Sequence, residues 1–303
     1  MKSSSNWHEY EIIATGGGEK LERWGNVILL RPDPQAIWSP NFVLSKYDGL
    51  NAHYIRSSTG GGKWQTLKKF PDEWTISYGD LKFIISPTNF KHTGLFPEQA
   101  VNWDKMRVAV AGTSALKVTH NTGELLKPTP PQERPEVLNL FGYTGGATVA
   151  CAKSGANVTH VDASQGMTNV CKRNCERNGL SNVRYIVDDC LKFVQREQRR
   201  GKKYDAIIMD PPSFGRGANG EVWKIEDSLE PLVMECVKLL SGKPIFFLIN
   251  SYTTGLQPTV IKNILQRCFE KQKVCAKIDA YEIGIPTREG IELPAGCSAW
   301  ATF

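Results

Sequence analysis

The residues of this 303-residue chain whose types and spacing suit chemistry fall in four stations, met in order between positions 137 and 214. At the first, Val137–Gly146 (VLNLFGYTGG), an apolar strand runs into Gly142, Thr144, Gly145 and Gly146, and a small-residue helix opens straight after. Glycines let backbone approach a ligand, and a helix N-terminus offers unpaired N–H groups and partial positive charge to an anion. A pyrophosphate or the carboxylate of a methionine moiety meets that description. The second station, Val158–Asp162 (VTHVD), ends in Asp162, 20 residues after Gly142, where a carboxylate can accept from ribose hydroxyls. A tight turn beside a hydrogen-bonded surface Asp would leave the same trace. The third ends in Asp188-Asp189, where a carboxylate can accept from an adenine amine or simply cap the next helix. The fourth, Asp210-Pro211-Pro212-Ser213-Phe214, discriminates best. Its prolines fix φ and remove two donors, which predicts a rigid loop with outward carbonyls and no helix start. Rigidity suits a site that holds a nucleophile in line with a transferable group. Asp210 can accept from an exocyclic amine or ring N–H, and Phe214 can stack on a planar base.

What must position these stations is a sheet whose strands all end on the same side. Strands at Val137–Leu140, Val158–Asp162, Val183–Val187, Asp205–Met209 and Ile245–Ile249 alternate with helices at Ala147–Ser154, Met167–Asn178, Leu191–Arg200, Leu229–Leu240 and Val260–Glu270. Ala276–Ile283 and Ser298–Phe303 close the chain as a hairpin pair. This alternation predicts an α/β fold, a Rossmann-like doubly wound sheet with helices on both faces. Ligands of such sheets lie at the carboxyl ends of the strands. The spacing Gly142-x-x-Gly145-Gly146 departs from the GxGxxG of dinucleotide sites. Residues 1–115 read differently, as aromatic and glycine-rich alternating runs broken by turns such as Arg31–Pro34 and Thr59–Lys63. The run TGGGK is a hairpin tip rather than a phosphate loop, because Trp64 stands where Ser or Thr is needed. The expected division is a smaller β-rich domain over 1–115 and the α/β domain over 116–303. Lys127–Pro135, with four prolines, would lead into its first strand.

Composition excludes several classes. Hydrophobic residues make up 41% and charged residues 22%, as in ordinary globular domains. The net charge of +6 permits a polyanionic partner without demanding one. It is evenly spread, with 13 Lys/Arg against 11 Asp/Glu over residues 1–115, so no basic tail is dedicated to nucleic acid. The eight cysteines form no CxxC pair, which argues against zinc ribbons and thioredoxin-like sites and predicts reduced, mostly buried thiols with no metal. The N-terminus MKSSSNWHEY lacks the apolar core of a secretory signal, and the run Pro244–Ile249 is too short to span a bilayer. A cytoplasmic chain without a membrane partner is expected.

Taken together, the four stations resemble class I S-adenosylmethionine-dependent methyltransferases. They resemble more closely the bacterial branch that holds the large-subunit ribosomal RNA cytosine-C5 and guanine methyltransferases. FGYTGG (141–146), HVDAS (160–164), VDDC (187–190) and DPPSFGRG (210–217) carry the likeness. A fifth segment, TGLFPEQ (93–99), resembles the part by which that branch's preceding β-rich region reaches the cofactor pocket. The resemblance covers roughly residues 90–303. It implies S-adenosyl-L-methionine as cofactor and S-adenosyl-L-homocysteine as product. It places Phe141, Gly142, Tyr143, Thr144 and Gly145 at the methionine end, Asp162 with Ala163 and Ser164 at the ribose, and Asp189 at the adenine amine. Phe96 and Gln99 would close the pocket. Asp210, also beside the cofactor, would receive the target base with Pro211, Pro212 and Phe214. The implied partner is RNA, ribosomal in that branch.

One departure bears on the chemistry. The cytosine-C5 members attack the base with a cysteine after the fifth strand, where this chain has Asn250-Ser251-Tyr252. Serine without a nearby base is a poor covalent nucleophile. Direct SN2 transfer to a base nitrogen, which needs mainly alignment, fits better. Two basic segments are candidates for RNA contact: Lys192, Arg196, Arg199, Arg200, Lys202 and Lys203, or the loop Gly215–Asp227 with Arg216, Trp223 and Lys224. A solvated helix end explains the first equally well. The first 90 residues show no PUA-type RNA-binding domain, which keeps a methyltransferase of small molecules or proteins in play. A non-catalytic ribosome-assembly factor of the same fold and a nicotinamide dehydrogenase are the remaining alternatives.

Overall fold

Short strands joined by turns fill most of the first hundred residues, and strands alternating with helices follow, the central ones buried along their length. The computed structural model describes residues 1–4, 6–57, 61–88, 91–115, 134–216 and 222–303. They divide into two compact units, Met1–Val101 with Ile283–Ala295, and Asn102–Glu282 with Gly296–Phe303. The hairpin tip expected near Thr59 and most of the Lys127–Pro135 entry loop lie outside the described residues.

The first unit holds β1 (Lys2–Ser3), β2 (Tyr10–Gly16), β3 (Glu19–Trp24), β4 (Val27–Pro32), β5 (Ala52–Arg56), β6 (Gly62–Thr66), β7 (Trp74–Tyr78) and β8 (Leu81–Ile85). β2 to β6 form one five-stranded sheet in chain order. Its pairs are antiparallel except β4–β5, joined in parallel at Leu29↔Ala52 and Leu30↔His53. β7 and β8 make a separate hairpin. Ile13, Ala14, Leu21, Leu30, Leu44 and Leu50 bury against one another on one face. Within this apolar frame sits a charged pair. The Glu22 carboxylate is fully buried and accepts from Arg31 Nε at 2.6 Å, Arg31 Nη2 at 2.9 Å and Tyr10 Oη at 2.6 Å.

The second unit begins in α1 (Ala100–Ala115) and continues through β9 (Glu136–Leu140), α2 (Gly146–Lys153), β10 (Asn157–Asp162), α3 (Gln165–Arg177), β11 (Val183–Val187) and α4 (Cys190–Arg199). Then follow β12 (Ala206–Met209), β13 (Phe214–Arg216), β14 (Val222–Lys224), α5 (Ile225–Val237), β15 (Phe246–Ser251), α6 (Pro258–Lys271), β16 (Lys277–Pro286) and β17 (Glu292–Thr302). The sheet order is β16-β17-β15-β12-β9-β10-β11. β15, β12, β9, β10 and β11 are parallel, and β17 runs antiparallel to β15. This is the doubly wound sheet that the sequence predicts. The chain starts at β9 in the middle, builds β10 and β11 to one side, then returns to build β12 and β15 on the other. The order therefore reverses between β9 and β12, the position where such sheets bind ligands.

Alternate residues of the central strands face different helices. Leu138, Leu140, Ile207, Met209, Phe247 and Ile249 pack with Phe193 and Val194 of α4, Leu229 and Val233 of α5, and Ile261 and Leu265 of α6. The opposite face meets α2 and α3. Seven of the eight cysteines are buried, as their apolar settings predict, and Cys275 is exposed. No helix among the described residues is long and apolar enough to cross a membrane.

Two elements differ from the sequence reading. The β-rich pattern of residues 1–115 extends only to Ile85, and its last sixteen residues are the helix α1. The segment read as a loop after Phe214 is a two-stranded ribbon, β13 against β14, and α5 starts at Ile225. Residues 217–221 of that segment lie outside the described residues.

The buried pair of the first unit makes a stability prediction. Burial alone would raise the Glu22 pKa; the Arg31 and Lys20 charges and the bonds from Arg31 and Tyr10 outweigh it and hold it at about 2. Removing one partner of such a pair costs about 3–5 kcal/mol, because the other charge stays buried and unpaired. Arg31→Met should show that loss in urea unfolding. The folded pKa lies below the ordinary 4.5, so the contribution of Glu22 is present above that value. The stability difference between wild type and Glu22→Gln should shrink as pH falls from 4.5 toward 2.

Candidate functional site

The site gathers at the carboxyl ends of β9, β10, β11 and β12, on either side of the switch in strand order. The turn after β9 is tightly wound. Phe141 and Tyr143 adopt left-handed backbone conformations with φ of 55° and 51°, and Gly145 follows at 87°. Non-glycine residues reach that region only under constraint. The constraint comes mainly from Asp162. Its Oδ2 accepts from the Tyr143 N–H at 2.8 Å and its Oδ1 from the Ser164 N–H at 2.8 Å. Burial raises the Asp162 pKa, and these two backbone bonds oppose the rise. Each oxygen keeps a second lone pair, so the carboxylate that shapes the turn can still accept from a ligand's hydroxyls.

The glycines have neighbours within the protein. A Cβ on Gly142 would fall on the His160 ring, one on Gly145 on the Cys171 thiol, and one on Gly146 within 2.8 Å of the Trp103 ring. The sequence reading assigned them to ligand approach; the structure adds close packing of the turn on β10, α3 and α1. Beneath the turn runs a buried polar chain that the sequence did not reveal. Asn139 donates to Thr148 Oγ1 at 2.9 Å, and that hydroxyl meets His160 Nδ1 at 2.9 Å. Burial lowers the His160 pKa to about 4, so the ring is neutral. Its Nε2 is a buried atom without a hydrogen-bond partner. Thr144 is buried, and its carbonyl accepts from Asn174 at 2.8 Å.

The start of α2 has no side-chain cap; its cap residue is Gly145. α3 and α4, in contrast, are capped by Ser164 and Asp189. The first N–H groups of α2 are thus the ones left to an outside anion. Ala163 and Ser164 are exposed at the end of β10. Asp189 caps α4 through a 2.9 Å bond from the Lys192 N–H to Oδ1, which leaves Oδ2 for another donor. Its neighbour Asp188 pairs with Arg196.

Asp210 follows β12, with Pro211 buried and Pro212 and Ser213 exposed. The Pro212 carbonyl accepts from Trp223 Nε1 at 2.6 Å. The Trp223 ring also lies 5.1 Å from Phe141. One side chain therefore ties the DPPSF loop to the turn after β9. Ser213 Oγ meets Thr253 Oγ1 at 2.7 Å, and its carbonyl accepts from the Ile225 N–H. Phe214 stands 54% exposed, unusual for its ring and suited to stacking.

A thiol near this loop escaped the sequence reading because β17 brings it from far along the chain. Cys297 pairs in register with Ser251, at the end of β15. Its Sγ donates to the Leu256 carbonyl at 3.1 Å. Burial, with the Glu282 and Asp210 charges, pushes its pKa up to about 11. It is a poor nucleophile in that state. Of the basic helix-end cluster, Arg196 is paired with Asp188, Arg200 with Glu197 at 2.9 Å and Lys202 with Glu136 at 3.0 Å, so much of its charge is already neutralised. Phe96 and Gln99 belong to the first unit, at a short 3-10 turn where the Gln99 N–H donates to the Phe96 carbonyl.

Gly142→Ala should therefore lower stability by about 1–3 kcal/mol through overpacking against His160. A double-mutant cycle with His160→Ala, followed by thermal unfolding, should show strong coupling between the two positions.

Residues 134–267 match a family described as RNA cap guanine-N2 methyltransferase. The chain is 26% identical over 242 residues to ribosomal RNA large subunit methyltransferase K of Neisseria meningitidis, covering 76% of this chain and 62% of that protein. It is 42% identical over 142 residues to ribosomal RNA large subunit methyltransferase I of Aeromonas salmonicida, covering 46% of this chain and 30% of that protein. The chain thus spans less than two thirds of these relatives. Along nearly its whole length it is similar to the crystal structure of a SAM-dependent methyltransferase from Agrobacterium tumefaciens, with 31% identity, a TM-score of 0.85 and coverage of 99% of this chain and 92% of that one. With the switch-point turn, the strand-end carboxylates and that full-length similarity, the chain belongs to the S-adenosylmethionine-dependent methyltransferases.

Proposed function

We propose that the chain methylates RNA, ribosomal RNA foremost, at a base nitrogen. The observation that carries this reading is the DPPSF loop: a carboxylate and an exposed ring on a proline-stiffened turn, locked to the cofactor-side turn by Trp223. The names of the K and I relatives supply the substrate class. S-adenosylmethionine supplies an electrophilic methyl group on a sulfonium. The open start of α2 receives its carboxylate, with Phe141, Gly142, Tyr143, Thr144 and Gly145 shaping that end. Asp162, with Ala163 and Ser164 beside it, holds the ribose, and the second oxygen of Asp189 accepts from the adenine amine.

On the acceptor side, Phe214 stacks on the target base and Asp210 accepts an N–H from its amine. That bond directs the nitrogen lone pair; as the nitrogen–carbon bond formed and the methyl–sulfonium bond broke to leave a neutral thioether, the Asp210 carboxylate would offset the positive charge on nitrogen and take the N–H proton. Pro211 and Pro212 keep the carboxylate from drifting, which matters more here than acid–base power. Cys297, with its proton held toward Leu256, takes no covalent part.

Methyl transfer from labelled S-adenosylmethionine to ribosomal RNA tests this. Asp210→Ala should lower the rate by two orders of magnitude or more while S-adenosylhomocysteine still binds. Cys297→Ala should keep most of the activity. Label that stays ribonuclease-resistant, entering protein or a small molecule, would contradict the RNA reading. A dead Cys297→Ala with intact fold would contradict direct transfer to nitrogen.

A further inference from the structure

The first unit carries cations that its own carboxylates do not satisfy. Glu22 is committed to Arg31 and Tyr10. Asp33 is committed to Lys20, whose Nζ lies 3.1 Å from it. Lys20 and Arg31 face each other in the β3–β4 register. Arg31 also reaches outward, its Nη1 donating to the Lys91 carbonyl at 2.8 Å, which fixes Lys91 beside the buried pair.

The Lys91 segment is pinned a second time. Trp64 Nε1 donates to the Thr88 carbonyl at 2.8 Å, and the Thr88 N–H donates to the His92 carbonyl. Trp64 pairs with Tyr54 across β5–β6, so both rings share a face. Arg56, two residues after Tyr54, lies on that same face. The residue opposite Arg56 is Gly62, which leaves no side chain to cover it. Arg56 and Lys91 thus belong to one patch, above Tyr54, Trp64 and the Arg31 fork.

Among the described residues, no carboxylate lies within ion-pairing distance of the Lys91 ammonium or the Arg56 guanidinium. Lys91 is half-buried, with the Lys20, Arg56 and Arg31 charges acting on it and Asp33 opposing them. Burial first, then these cations, push its pKa down. His92 beside it is held down to about 4 by burial and by Arg31, Lys91 and Lys20, so it adds a neutral ring with a donor and no charge. A half-buried ammonium among cations is stabilised by an anion that is not part of the chain.

We propose that Lys91 and Arg56 form a binding site for a backbone phosphate of RNA, its lysine placed by the bond from Arg31 to the Lys91 carbonyl. The site rests on the RNA reading above and deepens it, giving the β-rich unit a part in substrate binding. A phosphodiester suits it in shape and charge. Its negative charge offsets one of the two cations left without a carboxylate, and its two free oxygens accept from a lysine point charge and an arginine fork. Such a contact adds affinity without sequence preference.

The test is fluorescence anisotropy with a labelled single-stranded RNA of mixed sequence over a series of salt concentrations. Lys91→Met and Arg56→Met should each weaken binding about 3–10-fold, and the slope of log affinity against log salt should fall by about 0.7 per lost contact. Lys91→Arg should keep both. S-adenosylhomocysteine affinity and melting temperature should stay at wild-type values in all three, and Arg56→Met, at an exposed position, guards against a mere folding defect. Wild type that binds and methylates RNA, with the double Lys91→Met/Arg56→Met variant unchanged in affinity and slope, overturns this site alone. Wild type that binds no RNA overturns the site together with the RNA reading. Competition by polyglutamate as effective as by unlabelled RNA of equal charge also overturns it, pointing instead to an acidic protein surface.

Discussion

The second unit is organised around a single carboxylate. Asp162 ends a buried strand and turns both oxygens onto backbone N–H groups, one from the turn after β9 and one from the start of α3. That first bond falls between two bulky residues on either side of Gly142, Phe141 and Tyr143, and helps hold left-handed conformations that cost of order 1 kcal/mol each. With it, the turn ends in Gly145 and leaves the first N–H groups of α2 without a side-chain cap. The same group that sets the loop therefore also stands at its mouth with lone pairs to spare. Loop geometry and ligand recognition are coupled through it.

The turn is held from below as tightly as from the side. His160, Cys171 and Trp103 press against three glycines, so any added carbon must displace protein rather than water. The neutral His160, oriented through Thr148 and Asn139, is part of that floor. The DPPSF loop is held from another direction: the Trp223 indole joins Pro212 to Phe141, and Ser213 bonds Thr253 and the Ile225 N–H.

Much of this was legible in the sequence because three of the five parallel strands, β10, β11 and β12, are short runs that lead straight into an acid. Asp162, Asp189 and Asp210 lie at strand ends for that reason, and the switch point follows from the alternation of strands and helices. The long-range features were not legible. Cys297 meets Ser251 only through β17, and the basic residues around Arg196 find their acids on other elements. Helix α1 was hidden because its buried side includes Asn102 as well as Trp103 and Met106, which blurs the apolar period. Asn102 is buried because it donates to Asn250 and Ser298 and accepts from Tyr281, partners that lie far away in sequence. The ribbon β13–β14 has strands of three residues, too short for any period to show.

The central claim is that Asp162 and the turn it holds form the S-adenosylmethionine site. Calorimetric titration with S-adenosylhomocysteine, beside a titration with NAD, tests it most directly when wild type is compared with Asp162→Ala. Micromolar binding of S-adenosylhomocysteine to wild type, lost or weakened at least tenfold in the variant, with no binding of NAD, is the predicted result. Equal binding to both proteins, or a preference for NAD, would contradict it.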